Sequence, residues 1–121
     1  MATGLGEALQ EIQVANGLEM AAIVSADGLV VEAATADDVD AESICSVASN
    51  GMLMMDALAQ ELREEQARVT TLEYAHHLVV MAPLDEDSML VLLSNESMNL
   101  GRLRIVLRRA MDSLGEALGA V

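Results

Sequence analysis

The feature that most constrains this sequence is a long segment without proline, residues 41 to about 64, in which residues 43–55 carry no charged side chain. Its length and the absence of proline predict one continuous helix, which Asp40 caps at its N-terminus. A helix on the surface of a small domain ordinarily carries charges on the side that faces water. An uncharged helix of this length therefore indicates cover on more than one side.

Two faces of this predicted helix lack charge. At about 100° of turn per residue, one apolar stripe is wide enough to cover a sheet. The stripe comprises Ile44, Ala48, Gly51, Met55, Leu58 and Leu62, with Cys45, Met52 and Ala59 beside it. The opposite side carries small or apolar residues, namely Ser46, Ser49, Asn50, Leu53, Met54 and Ala57.

Small side chains around a projecting Leu53 allow another backbone to approach closely, which is typical of a packed interface. The chain has a net charge of −14, yet its charged residues lie away from this side of the helix between residues 43 and 55. We therefore predict a homodimer through this helix, with the six residues of the opposite side at the dimer or partner interface. The alternative is a helix buried within its own chain, or merely a surface of low charge.

The remaining segments alternate between strand and helix patterns. Asp27-Gly28 lies between two β-prone runs, which is the strongest short signal for a hairpin. The patterns predict helices over residues 3–15 and 97–118, and strands over residues 20–25, 29–35, 68–74, 77–82 and 88–94. We expect a single α/β (α+β) domain over residues 1–121, in the order α-β-β-α-β-β-β-α. One five-stranded antiparallel sheet would be flanked by helices on both faces.

The third predicted strand, residues 68–74, carries a second indication of assembly. Val69, Thr70 and Thr71 favour an extended chain, and no proline or lysine blunts the strand. At the edge of the sheet this strand could pair with its own copy across a twofold axis. A strand paired normally on both sides is an equally good interpretation of the pattern.

The residues capable of catalysis or metal binding do not form a recognisable active site. His76 and His77 are adjacent in a strand and would point to opposite faces, which disfavours a joint metal site. Cys45 lies on the apolar stripe and is expected to be a core residue. The chain has no lysine and no glycine-rich phosphate loop, so it is not a P-loop nucleotidase. We predict no catalytic residue, no metal and no cofactor.

Charge and composition also limit the partners. A chain with a net charge of −14 repels nucleic acid and anionic lipid, and no segment is long and apolar enough to insert in a membrane. A lone cysteine fits a reducing compartment, so we expect a cytoplasmic protein. Four of the six arginines are Arg102, Arg104, Arg108 and Arg109. Salt bridges to nearby Asp112 and Glu116 are the favoured interpretation, and an anionic patch on a partner is the alternative.

Several motifs in this order resemble the Roadblock (dynein light-chain) family, including its bacterial gliding-motility regulators. The likeness covers nearly the whole chain, about residues 5–118. It is carried by AIVSADGLVV at 22–31, DAESI at 40–44, LVLLSN at 90–95, NLGRLR at 99–104 and LRRA at 107–110.

The resemblance implies a Roadblock/profilin-like sheet with the long helix on one face and the terminal helices on the other. It also implies a homodimer in which strand 68–74 meets its copy and the long helices pack together. Members of the family bind and regulate small Ras-like GTPases or serve as adaptor subunits of larger complexes. We therefore expect a non-catalytic GTPase-binding regulator or scaffold; the alternative is a structural adaptor with no effect on nucleotide turnover. The lack of arginine from residue 1 to 62 excludes an arginine finger from the long helix.

Overall fold

A computed structural model describes residues 4–119, with side chains to residue 116. The elements are α1 (Leu5–Ala15), β1 (Met20–Ser25), β2 (Val30–Thr35), α2 (Ala41–Glu61), β3 (Thr70–Glu73), β4 (His77–Pro83), β5 (Ser88–Asn95) and α3 (Leu100–Gly119). This is the predicted order. Thr3, the predicted first residue of α1, and the side chain of Leu118 lie outside the described part of the chain.

All five strands join in one antiparallel sheet, in the spatial order β2-β1-β5-β4-β3, so the predicted fold class is confirmed. The turn between β1 and β2 is closed by Gly28, whose φ of 88° disfavours a side chain. The strand over residues 68–74 is shorter than predicted, because only Thr70–Glu73 pairs with β4. Its sequence fits an edge strand and a strand paired on both sides equally well, and the sheet order places it at the edge.

The two faces of the sheet are covered by different helices. On one face α1 and α3 enclose a core of aliphatic side chains, among them Leu9, Ile23, Leu92, Leu103 and Leu114. On the other face α2 packs on a second core that is rich in methionine, namely Met20, Met52, Met81 and Met89 with Cys45 and Val91. Strands β1, β4 and β5 are buried on both faces because they lie between these two layers, as their continuous apolar runs predict.

Helix α2 does not cover its face of the sheet evenly. It packs on β1 and β2, whereas β3 lies at the opposite edge of the sheet. One helix is about 10 Å wide and five strands span about 20 Å, so a single helix leaves part of the face uncovered. The uncovered part is the region above β3 and β4.

The arginines of α3 do not form the salt bridges that the sequence favoured. Among the side chains that the structure describes, ion pairs within 4.0 Å join only His76 to Glu96 and His77 to Glu19. Arg102, Arg104, Arg108 and Arg109 are exposed. Arg102 and Arg104 are ten and eight residues from Asp112, too far along the helix for a pair. Arg108 and Arg109 precede Asp112 by four and three residues, which is the less favourable order of charges for such a pair.

Helix α2 begins with a side-chain cap. The backbone of Asp40 is extended, and its carboxylate accepts hydrogen bonds from the Ser43 N–H at 3.2 Å and the Ser43 hydroxyl at 2.8 Å. These bonds, the hydroxyl first, hold the pKa of Asp40 below its ordinary value of 3.8. The charged carboxylate thus satisfies an N–H group that has no partner inside the helix.

We predict that Asp40→Ala lowers the Tm at pH 7, measured by circular dichroism. Because the pKa of Asp40 is lowered by folding, its contribution is present above pH 3.8 and disappears as the pH falls through the folded value. The difference in Tm from the wild type should therefore shrink in acid. Asp37→Ala, an exposed neighbour with the same change of charge, is the control. Equal losses of Tm in the two variants at pH 7 would contradict a capping role.

Candidate functional site

Helix α2 exposes large apolar side chains along its length. Val47, Leu53, Met54, Leu58 and Leu62 are 71%, 64%, 70%, 52% and 64% exposed, although side chains of this kind are ordinarily buried. No charge interrupts the run from residue 43 to residue 55. We call this exposed side the outer face of α2.

The buried side of α2 is not the stripe that its sequence favoured. The residues in contact with the sheet are Cys45, Ser49, Met52 and Ala59, which are 9% exposed or less, whereas Leu58 and Leu62 face outward. At about 100° per residue, the helix is rotated by about a quarter turn from the predicted orientation. The expectation was wrong because the outer face is as apolar as the buried one, so hydropathy alone selects the wrong stripe.

Ser49 is a second correction. We expected it on the exposed side, but it is 9% exposed and faces the β1–β2 turn. A Cβ atom built on Gly28 would lie 3.4 Å from the Ser49 hydroxyl, so the helix and the turn are in close contact there. The small side chain of Ser49 therefore lets the helix approach its own sheet, and this residue does not belong to the outer face.

Beside α2 the uncovered part of the sheet forms an apolar groove of about 470 Å³. Its walls are Ser43, Ile44, Val47, Ala48 and Gly51 from α2, and Leu72, Tyr74, Val79 and Met81 from β3, β4 and the turn between them. Val47 and the strand residues were not among the site candidates predicted from the sequence. Val47 could have been found as a large apolar residue within the uncharged run, whereas the strand residues become neighbours of the helix only through the sheet order.

The exposed surface of α2 thus divides into two strips. The groove strip consists of Ile44, Val47, Ala48 and Gly51, which line the groove. The outer strip consists of Ser46, Asn50, Leu53, Met54 and Ala57, all of which lie outside the groove. The five residues of the outer strip are the predicted interface residues of this helix other than Ser49.

Strand β3 closes the other side of the groove and has a free edge. Within residues 4–119 it pairs with β4 only, so the backbone groups on its far side have no strand partner there. Thr70 and Thr71 are half-buried, and Val69 precedes the strand with 39% of its surface exposed. The Thr70 hydroxyl lies 3.7 Å from the Met52 sulfur, which ties the edge strand to α2. The structure therefore places Thr70 beside α2, whereas Val69 lies next to Leu107 and Met111 of α3, on the other face of the sheet.

The reactive side chains are held in structural roles. Burial raises the pKa of the Cys45 thiol to about 11, so it is neutral at physiological pH and a poor nucleophile. His76 Nδ1 lies 2.8 Å from Glu96, and His77 Nε2 lies 3.2 Å from Glu19, so the two rings have different partners. Within the described residues, no three His, Cys, Asp or Glu side chains are grouped as a metal site would require.

This fold and its site can be compared with known proteins. The sequence model of the Roadblock/LC7 domain family matches residues 5–94, which is most of the chain. The chain belongs to the Roadblock/LC7 family. This confirms the family that the sequence motifs indicate, and Roadblock/LC7 domains are generally non-catalytic.

A relative in Methanocaldococcus jannaschii, the uncharacterised protein MJ0310, is 30% identical over 106 residues, which is 88% of this chain and 92% of the relative. Among solved structures, the gliding protein MglB of Thermus thermophilus has a TM-score of 0.84 at 18% identity, over 100% of this chain and 96% of that one. Profilin II of Acanthamoeba castellanii has a TM-score of 0.63 at 17% identity, over 93% and 98%. The structural likenesses show the fold, which is Roadblock/profilin-like as expected.

Family membership supports a regulatory or adaptor role for the chain. The described helices include none that is long and apolar enough to span a membrane. The chemistry of the site agrees with such a role, because the residues gathered around the groove offer apolar contact area and hydrogen-bonding backbone.

Proposed function

We propose that the chain is a non-catalytic homodimer that binds and regulates a small Ras-like GTPase through its paired α2 helices. The observation that carries this proposal is the uncharged, apolar and exposed outer face of α2 on a chain with a net charge of −14. Contiguous exposed apolar surface of this kind marks protein interfaces. We assign the groove strip and β3 to the dimer, and the outer strip to the GTPase.

The groove and the free edge of β3 support a second copy of the chain as the first partner. A twofold axis next to β3 lets the two edge strands pair with each other, which satisfies backbone groups that are otherwise unpaired. The same axis brings the two α2 helices toward each other above the joined sheets. Each groove strip then packs on the other, in a region where two acidic chains can meet without repulsion.

The sequence of β3 favours this pairing. Residues 69–72 carry no charge, so the centre of a contact between two copies of the strand is free of like charges. Like charges directly opposite each other destabilise antiparallel strands.

We predict that Val47→Asp converts the dimer to a folded monomer, because two aspartates would be buried without partners in the groove. Sedimentation equilibrium gives the mass, and circular dichroism checks the fold. Val14→Asp is the matched control, since Val14 lies on α1 and is 65% exposed, close to the 71% of Val47. A dimer of unchanged affinity in Val47→Asp, or an equal loss in Val14→Asp, would argue against the assigned interface.

The outer strip supports a GTPase as the second partner. In the proposed dimer Leu53, Met54 and Ala57 stay outside the groove, and Ser46 and Asn50 add hydrogen-bonding groups beside them. An apolar centre with polar groups at its rim is the usual anatomy of a protein interface. No arginine lies on α2, so regulation would act by holding the GTPase's own catalytic groups in place. We also propose a cytoplasmic location, because a lone cysteine stays reduced there.

A direct test uses a small Ras-like GTPase encoded in the same genome, loaded with GDP or with a GTP analogue. We predict that the wild-type dimer binds one nucleotide state and that Leu53→Asp weakens binding by about tenfold or more, because an aspartate would be buried in the interface without a partner. Binding is measured by calorimetry, and the mass of Leu53→Asp shows whether the dimer is intact. Ile105→Asp is the control, because Ile105 is exposed on α3 at the other face of the sheet.

The outcomes separate the two candidate functions. Absence of binding in both nucleotide states would refute GTPase binding for that pair. Binding that leaves the rate of GTP hydrolysis unchanged would favour the structural adaptor, whereas a changed rate that Leu53→Asp abolishes supports the regulator.

A further inference from the structure

The arginines of this acidic chain are concentrated on α3, on the opposite side of the molecule from α2. Four of the six basic side chains lie within residues 102–109, and the chain contains 20 acidic ones. All four arginines are exposed, and no carboxylate among the described side chains lies within 4.0 Å of any of them. A guanidinium group with five N–H donors and no ion pair is available to a partner.

The four side chains are arranged around an exposed apolar residue. At about 100° per residue, Arg102 and Arg109 form one row along the outward side of α3, and Arg104 and Arg108 form another. Ile105 lies between the rows and is 53% exposed. The apolar side of α3 that packs on the sheet is separate and comprises Leu103, Val106, Leu107, Ala110 and Leu114. Ile105 is therefore not part of the core.

A groove of about 190 Å³ adjoins the second row. Arg104, Arg108 and Asp112 form its rim, and Leu107 and Met111 of α3 form its floor together with Val69, which precedes β3. Val69 is 39% exposed in the single chain. The guanidinium groups of Arg104 and Arg108 thus lie beside an apolar groove that a side chain of a partner could enter.

We propose that this surface of α3 is a second docking site, which binds an acidic segment of another protein that carries an apolar side chain between its carboxylates. Charge complementarity determines the occupant: guanidinium groups bind carboxylates through two parallel hydrogen bonds, and the groove accepts the apolar side chain. The site goes beyond the proposed GTPase regulator, because it lies on the other face of the sheet. It would let the dimer connect the partner on α2 to a second protein.

A protein segment fits this surface better than the other anionic macromolecules. The phosphate backbone of nucleic acid offers no apolar side chain for the groove. A helix that lies on a membrane presents a wide apolar face to the lipid. The wide apolar face of α3 is buried against the sheet, and Ile105 is the large apolar side chain left exposed among those that the structure describes on this helix.

The test measures binding of a short fluorescein-labelled peptide, in which each leucine is flanked by pairs of glutamates, to the full-length protein by fluorescence anisotropy. We expect saturable binding that weakens as salt is added. Arg108→Glu should weaken it by about tenfold or more, as the loss of a charge-assisted pair does. The same peptide with glutamine in place of glutamate should bind the wild type no more tightly than the glutamate peptide binds Arg108→Glu.

Arg63→Glu is the matched control, because it changes the charge equally at an exposed arginine beyond the end of α2. It should bind the peptide as the wild type does. Absence of binding at low salt, or equal affinity in Arg108→Glu and the wild type, would overturn the proposal. So would tighter binding of a DNA duplex or of phosphatidylserine vesicles that depends on Arg108. Dimer mass and GTPase binding should be unchanged in Arg108→Glu, so the two proposals fail separately.

Discussion

The packing of one helix that is apolar on both sides determines much of this structure. α2 buries Cys45, Met52 and Ala59 against the sheet and still exposes Val47, Leu53 and Met54 to water. Burial of an apolar side chain of this size contributes about 1.5–3 kcal/mol, so the exposed side chains represent stability that a single chain does not gain. A surface with this property favours association, and the uncharged run from residue 43 to residue 55 removes the electrostatic cost of bringing two acidic chains together.

The asymmetry of the two layers explains where association can occur. Two helices cover one face of the sheet, whereas one helix covers the other and lies above β1 and β2. The groove is the consequence of the missing second helix, and the free edge of β3 beside it follows from the order of the strands. Methionine supplies much of the core beneath α2, and its flexible side chain tolerates the repacking that a new neighbour requires.

The sequence predicts the elements well because each has a local signal. The Asp27-Gly28 turn, the Asp40 cap and the buried runs of β4 and β5 are all visible in short windows, and the sheet architecture follows from the family resemblance. The rotation of α2 is not predictable in this way, because both of its sides are apolar, and the close approach of Ser49 to Gly28 is visible only in the folded chain. The predicted salt bridges of α3 fail because the sequence shows that arginines and carboxylates lie near each other on the helix, but it does not show whether charges in water pair. The edge position of β3 and the residues of the groove depend on the sheet order, which periodicity does not report.

Amide hydrogen exchange of β3 reports whether two chains meet at this edge, because pairing of the strand with its copy protects backbone groups that are free in the single chain. We expect the outward amides of residues 70–73 to exchange slowly in concentrated solution and rapidly on dilution, in step with the loss of dimer mass. The inward amides, which bond β4, should stay protected at both concentrations. Rapid exchange of the outward amides in a concentrated, dimeric sample would refute this pairing, because the two chains would then meet through another surface.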